Sequence, residues 1–134
     1  MNAFPFPVEA VIFDMDGLLL DTENVYRRAM IASAAGLGYD FPEAFCHSMV
    51  GTAETEIHAI LRQRFGADFP IPRLFQDCEV EMQRLLETGV PIKAGATELI
   101  GELAVRKLPM AVATSTVRRI AEHHLKRAGL LGHF

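Results

Sequence analysis

Apolar and polar positions change rhythm twice along the chain. Ala10-Val11-Ile12-Phe13 is an unbroken apolar run that meets two carboxylates, Asp14 and Asp16, and then Gly17. Such a run, bounded by a turn signal, predicts a strand over 8–13, buried on both faces of a parallel sheet. Residues 1–7 read as a Pro-punctuated lead-in to it. From Thr22 to Thr88 the apolar residues recur at helical spacing. Thr22 is expected to cap a helix from Glu23 to about Ala35, which Gly36 and Gly38 break. Phe41-Pro42 opens a short helix to about Met49. Gly51-Thr52 is a hinge followed by an N-cap, and the next helix runs to about Phe65 and stops at Gly66. Pro70 and Pro72 start a fourth, with Leu74, Cys78, Leu85 and Leu86 in register until Gly89.

At Val90-Pro91 the rhythm changes again. An amphipathic helix over 94–106, with Leu99, Ile100, Leu103 and Ala104, leads to a second short strand, Met110 to Ala113. That strand ends in Thr114-Ser115-Thr116, and a helix follows from about Val117 to Ala128, with Gly129 as its stop. Helix, strand, helix in this order is part of a right-handed α/β unit. The expected fold class is therefore α/β. A parallel-sheet core would be built from 1–21 and 89–134, with an all-helical insertion of four helices over 22–88.

Composition narrows the class. The 134 residues are half hydrophobic, with no low-complexity tract, which indicates a globular chain with a working core. Thirteen Lys and Arg against seventeen Asp and Glu give a formal net charge of −4. That balance argues against nucleic acid or an anionic membrane as the main partner. No apolar run is long enough to span a bilayer, and the N-terminus has neither the basic stretch nor the apolar core of a signal peptide. A cytoplasmic location is expected. Cys46 and Cys78 have no metal-type spacing and are expected to be reduced, half-buried thiols.

The candidate chemistry sits at the end of the first strand. In open α/β sheets ligands bind beyond the carboxyl ends of the strands. Asp14 and Asp16 stand there, on one side of the chain by the two-residue period, and Gly17 lets the backbone turn away. Two carboxylates this close repel unless a cation or a shared proton relieves them. At the second strand, Thr114-Ser115-Thr116 precedes a helix, where backbone N–H groups form an anion site. The same three residues serve equally as an ordinary N-cap.

Phe13-Asp14-Met15-Asp16-Gly17-Leu18-Leu19-Leu20-Asp21-Thr22-Glu23 resembles the first motif of the haloacid dehalogenase-like (HAD) hydrolases, as found in their phosphatases and phosphomutases. The layout of a Rossmann-like core with an all-helical cap between the first and second motifs is similar to one subclass of that superfamily. By this resemblance Asp14 is the nucleophile. Asp16 is the acid that protonates the leaving oxygen and then the base on water. Mg²⁺ is held by the Asp14 carboxylate and the Asp16 backbone carbonyl, and an oxygen-only set suits that ion. Thr114 matches the second-motif hydroxyl that binds the transferring phosphoryl group, with Ser115 and Thr116 beside it. Gly51 and Thr52 fall where relatives carry a substrate-specificity loop. Several relatives have a basic residue just after that glycine, and Thr52 is not basic.

The resemblance implies a Mg²⁺-dependent phosphohydrolase acting on a small phosphorylated metabolite, such as a sugar phosphate or phosphoglycolate, through an aspartyl-phosphate. A β-phosphoglucomutase-like phosphomutase is the nearest alternative, and phosphoenzyme lifetime separates the two. A non-catalytic, receiver-like module also holds an aspartate at a strand end, but takes its other acids from an earlier strand. Two later motifs of the family, one with a lysine and one with further metal-binding acids, are not in the sequence. On that ground the chain is expected to be the N-terminal part of an enzyme, itself weakly active or inactive. It is also expected to have an open sheet edge that promotes self-association. Arg27-Arg28 and Arg118-Arg119 read as solvated helix faces. His123-His124 has the wrong spacing for a metal pair, and His47 and His58 stand alone.

Overall fold

The computed structural model describes residues 5–134; residues 1–4, the start of the expected lead-in, lie outside the described residues. The chain runs β1 (Val11–Phe13), α1 (Thr22–Gly36), α2 (Glu43–Ser48), α3 (Glu54–Phe65), α4 (Ile71–Glu87), α5 (Ala96–Val105), β2 (Met110–Val112) and α6 (Arg118–Arg127), and closes on a 3-10 turn, Leu131–His133. It divides into two compact units. One holds the chain up to Glu23 together with Gly89–Phe134, and the other holds Asn24–Thr88.

In the first unit β1 and β2 pair in parallel, with Val11 opposite Met110 and Phe13 opposite Val112. The expected six-residue first strand is three residues long, and it is not buried on both faces, since Ile12 is 72% exposed. Among the described residues the sheet has two strands, and the side of β1 that carries Ile12 is left open. Phe13 is buried, and its ring meets that of Phe134 edge to face at 6.0 Å. The helices bury a narrower stripe than their periodicity suggests. α5 buries Ala96 and Ile100, and α6 buries Ala121 and Leu125, while Leu99 and Ile120 remain substantially exposed.

The second unit has its own core. Leu61 of α3 and Leu74 of α4 are fully buried among Ala29, Met30, Phe41 and Phe69. Five aromatic rings, Tyr39, Phe41, Phe45, Phe65 and Phe69, interlock at one end: Phe41 stacks on Phe65 at 5.0 Å, and Tyr39 meets Phe69 edge-on at 4.7 Å. The Arg64 guanidinium lies 4.3 Å over the Phe45 ring, a cation–π contact that covers this cluster. Cys46 and Cys78 are free thiols as expected, but buried rather than half-buried. His58, which the sequence leaves alone, lies 3.7 Å from Glu54 one helical turn earlier. The N-cap position of α3 is Ala53, which makes no side-chain capping bond. Among the described residues no helix is long and apolar enough to cross a membrane.

Candidate active site

The site grows out of the pairing of the two strands. Ala113 N–H donates to the Phe13 carbonyl at 2.8 Å, so the parallel ladder runs to the very end of both strands. Asp14 directly follows β1, and Thr114 directly follows Ala113, two residues beyond β2. Asp14 is exposed, Met15 is fully buried, and Asp16 is half-buried, so the alternation of a strand persists for three residues beyond β1. Met15 anchors the stretch. Its carbonyl accepts from the N–H groups of Leu18, Leu19 and Leu20, at 3.3, 3.0 and 3.1 Å, which winds the chain into a tight turn. Gly17 sits in that turn at φ +79°, a left-handed conformation that strains any residue with a Cβ. The turn is tied down where Lys93 N–H donates to the Leu19 carbonyl and Asp21 N–H to the Pro91 carbonyl, each at 2.9 Å. Lys93 Nζ lies 3.5 Å from Asp21 Oδ1 across the same junction.

Three hydroxyls converge on Asp16. Thr22 Oγ1 donates to Oδ1 at 2.8 Å. Thr116 Oγ1 donates to Oδ2 at 2.7 Å, and Thr114 Oγ1 reaches the same oxygen at 3.5 Å. Thr116 N–H in turn donates to Thr114 Oγ1 at 3.1 Å. The Asp14 carboxylate accepts from Met15 N–H at 2.8 Å and otherwise faces outward. The structure thus brings Asp14, Asp16, Thr114 and Thr116 together, with Ser115 exposed between the two threonines. Gly51 and Thr52 belong to the other unit, in the turn between α2 and α3, where Thr52 N–H donates to the Met49 carbonyl.

One expectation about this region is corrected, and one alternative reading is set aside. Thr22 does not stand before α1 as its cap; it is the first helical residue, and its hydroxyl goes to Asp16. The Thr114-Ser115-Thr116 run does not cap α6 either, because Val117 holds the N-cap position with no side-chain capping bond. Sequence reasoning missed Thr22 as a site residue, since a hydroxyl ahead of a helical run is most simply read as a cap. It also passed over His124. That side chain lies one turn beyond buried Ala121, and its Nδ1 is buried with no hydrogen-bond partner. Burial holds the His124 imidazole below its usual pKa, and His123 beside it adds to the shift, while the Asp16 carboxylate pulls the other way.

The available donors are hard oxygens, which fit Mg²⁺ in kind. Among the described residues no group of three or more His, Cys, Asp or Glu side chains is placed to hold a metal ion.

The profile of the haloacid dehalogenase-like hydrolases matches residues 11–134. The chain belongs to this family. Among curated relatives, it is 30% identical over 127 residues to the phosphorylated carbohydrates phosphatase of Thermotoga maritima, covering 95% of this chain and 59% of that protein. It is 33% identical over 112 residues to (DL)-glycerol-3-phosphatase 2 of Arabidopsis thaliana, covering 81% of this chain and 46% of that protein. The chain therefore spans about half the length of the curated relatives it matches. Among solved structures, a HAD family hydrolase of Deinococcus radiodurans, with bound phosphate and sodium, superposes with a TM-score of 0.77 at 25% identity. That superposition covers 95% of this chain and 55% of that one. The two-stranded parallel sheet and six α-helices described above are thus part of a HAD fold.

Proposed function

We propose that this chain carries the site of a Mg²⁺-dependent phosphohydrolase for small phosphomonoesters, with Asp14 as nucleophile and Asp16 as acid and base. One observation supports it most directly: an exposed carboxylate at a strand end lies two residues from a second carboxylate that is held by three hydroxyls from two places in the chain. The Asp14 carboxylate attacks phosphorus, the ester P–O bond breaks, and the acid form of Asp16 gives its proton to the leaving oxygen. Asp16, now a carboxylate, takes a proton from the water that attacks the aspartyl-phosphate, and Asp14 is released. The hydroxyls of Thr114 and Thr116 are suited to bind the non-bridging oxygens.

The Asp14 carboxylate and the Asp16 main-chain carbonyl are the groups that would hold Mg²⁺. When bound, the ion offsets the repulsion between Asp14 and the incoming phosphate dianion. The names of the relatives, a phosphatase of phosphorylated carbohydrates and a glycerol-3-phosphatase, favour a small polyol or sugar monophosphate as substrate.

The test is hydrolysis of p-nitrophenyl phosphate and of glycerol and sugar monophosphates by the 134-residue chain, with and without Mg²⁺, beside Asp14→Asn. Slow hydrolysis that requires both Mg²⁺ and Asp14 is expected, because the protein oxygens available for the ion are few. Hydrolysis that survives Asp14→Asn overturns the assignment. A phosphoenzyme that passes its phosphate to a sugar phosphate and not to water moves it to a phosphomutase.

A further inference from the structure

The hydrogen bonds around Asp16 contain a conflict. Thr114 and Thr116 stand where a phosphoryl group is expected to bind, yet both hydroxyls are directed to Oδ2 of Asp16. The Thr116 N–H, which the sequence offers as an anion donor, is turned instead onto Thr114 Oγ1. A carboxylate and a phosphate oxygen are chemically similar acceptors, anionic and hard, and a hydroxyl has one proton to give. Thr116 Oγ1 therefore serves Asp16 or a phosphate oxygen, and not both. The other end of the carboxylate is held separately: Thr22, 3% exposed, donates to Oδ1, on a bond that leaves Thr114 and Thr116 untouched.

We infer that Thr116 is a positioning residue for Asp16: its hydroxyl parks the carboxylate while the site is empty and is handed over to the phosphate when one enters. The inference rests on the phosphate-binding role proposed above for Thr114 and Thr116. Its consequence is an order of events. Entry of the phosphate takes the proton donor from Oδ2, and that oxygen becomes free to turn toward the leaving group while Thr22 retains Oδ1. The acid–base group is released at the moment when there is a substrate for it to act on. A hydroxyl exchanged between two anions contributes little net affinity for the second, because one hydrogen bond is lost for each one gained.

A double-mutant cycle read by inorganic phosphate binding tests this without relying on turnover. Phosphate is titrated at fixed Mg²⁺ into the wild-type chain, Thr116→Val, Asp16→Ala and the double variant, and binding is followed by calorimetry. With Asp16 present, Thr116→Val is expected to change phosphate affinity less than about twofold, since the hydroxyl is already engaged. With Asp16→Ala the hydroxyl is free, and Thr116→Val is expected to lose about tenfold, the worth of a hydrogen bond to a charged acceptor. Simple charge repulsion from Asp16 cancels in the comparison, because it is common to both members of each pair. Thr116→Ser, which keeps the hydroxyl, is expected to behave as wild type in both backgrounds, and Thr116→Ala, which removes it, serves where Thr116→Val proves poorly folded. An equal loss in both backgrounds, or a Thr116→Ser that behaves as Thr116→Val, overturns the inference and leaves phosphate binding at these residues standing. Failure of all four proteins to bind phosphate overturns the phosphate-binding role itself.

Discussion

Thr22 Oγ1 donates to Asp16 Oδ1 at 2.8 Å, and the threonine that makes this bond is the first residue of α1. A helix start and an active-site turn are thus joined by one hydroxyl. Thr22 is buried, so its loss leaves a carboxylate oxygen short of a donor in a place where water enters poorly. Thr22→Val, which keeps the shape, is expected to cost about 1–2 kcal/mol and to lower turnover, whereas Thr22→Ser is expected to keep both. Urea midpoints of the two variants, set beside hydrolysis rates, check the claim.

At Gly17 two costs are stacked and can be separated. The positive φ penalises any Cβ by about 1–2 kcal/mol. An added Cβ would also lie 2.8 Å from the Glu23 carboxyl group. That carboxyl is the far end of an exposed, flexible side chain, so it can move aside. Gly17→Ala is therefore expected to destabilise by about the backbone cost alone. Pairing it with Glu23→Ala should recover only a few tenths of a kcal/mol. A large recovery in the double variant would assign the effect to the collision and not to φ.

The helical unit offers a stability contrast on a single helix. Leu74 is fully buried on α4, while Val80 on the same helix is mostly exposed. Leu74→Ala is expected to cost about 2–5 kcal/mol through lost burial and a residual cavity. Val80→Ala should stay within about 0.5 kcal/mol. Denaturant curves followed by far-ultraviolet circular dichroism distinguish the two outcomes.

Much of this architecture is legible in the residue pattern because it depends on local signals. The apolar run before Asp14 marks β1, and the breaks at Gly36, Gly66 and Gly89 fall where helices or their caps end. The motif from Phe13 to Glu23 carries the family assignment, and the profile match over 11–134 agrees with it. What the pattern could not show is where hydroxyl protons go. Thr22 and Thr116 each have a local use, capping a helix or exposing an N–H, and a use across the chain, and sequence spacing favours the local one. The hydrogen bond from Thr116 to Asp16 bridges a hundred positions, a separation at which spacing carries no information. The exposure of Ile12 was hidden for a related reason: burial of a strand face is set by which elements lie over it, not by the strand's own composition.

A buried thiol, Cys78, and a partly exposed phenol, Tyr26, set the behaviour of the helical unit in base. Burial pushes the Cys78 thiol from 9.0 up to about 12, with Cys46 nearby adding to the rise. Burial likewise raises the Tyr26 hydroxyl from 10.0 to about 12, with the charges of Cys78 and Glu54 contributing. Both groups are acids whose folded pKa lies above the unfolded value. Below about pH 9 both states keep the protons, and these groups do not affect the balance. As pH rises past 9 and then 10 the unfolded chain loses protons that the folded chain retains, so the unfolded state is favoured and stability falls toward pH 12. The urea midpoint of the helical unit is expected to be flat from pH 7 to 8.5 and to drop steadily above 9. Cys78→Ala lowers the whole curve by opening a cavity, but it should also flatten the first part of the drop, since one of the buried thiols is gone and Cys46, which burial also raises, remains. A drop of unchanged steepness in that variant would mean that Cys78 ionises as readily folded as unfolded.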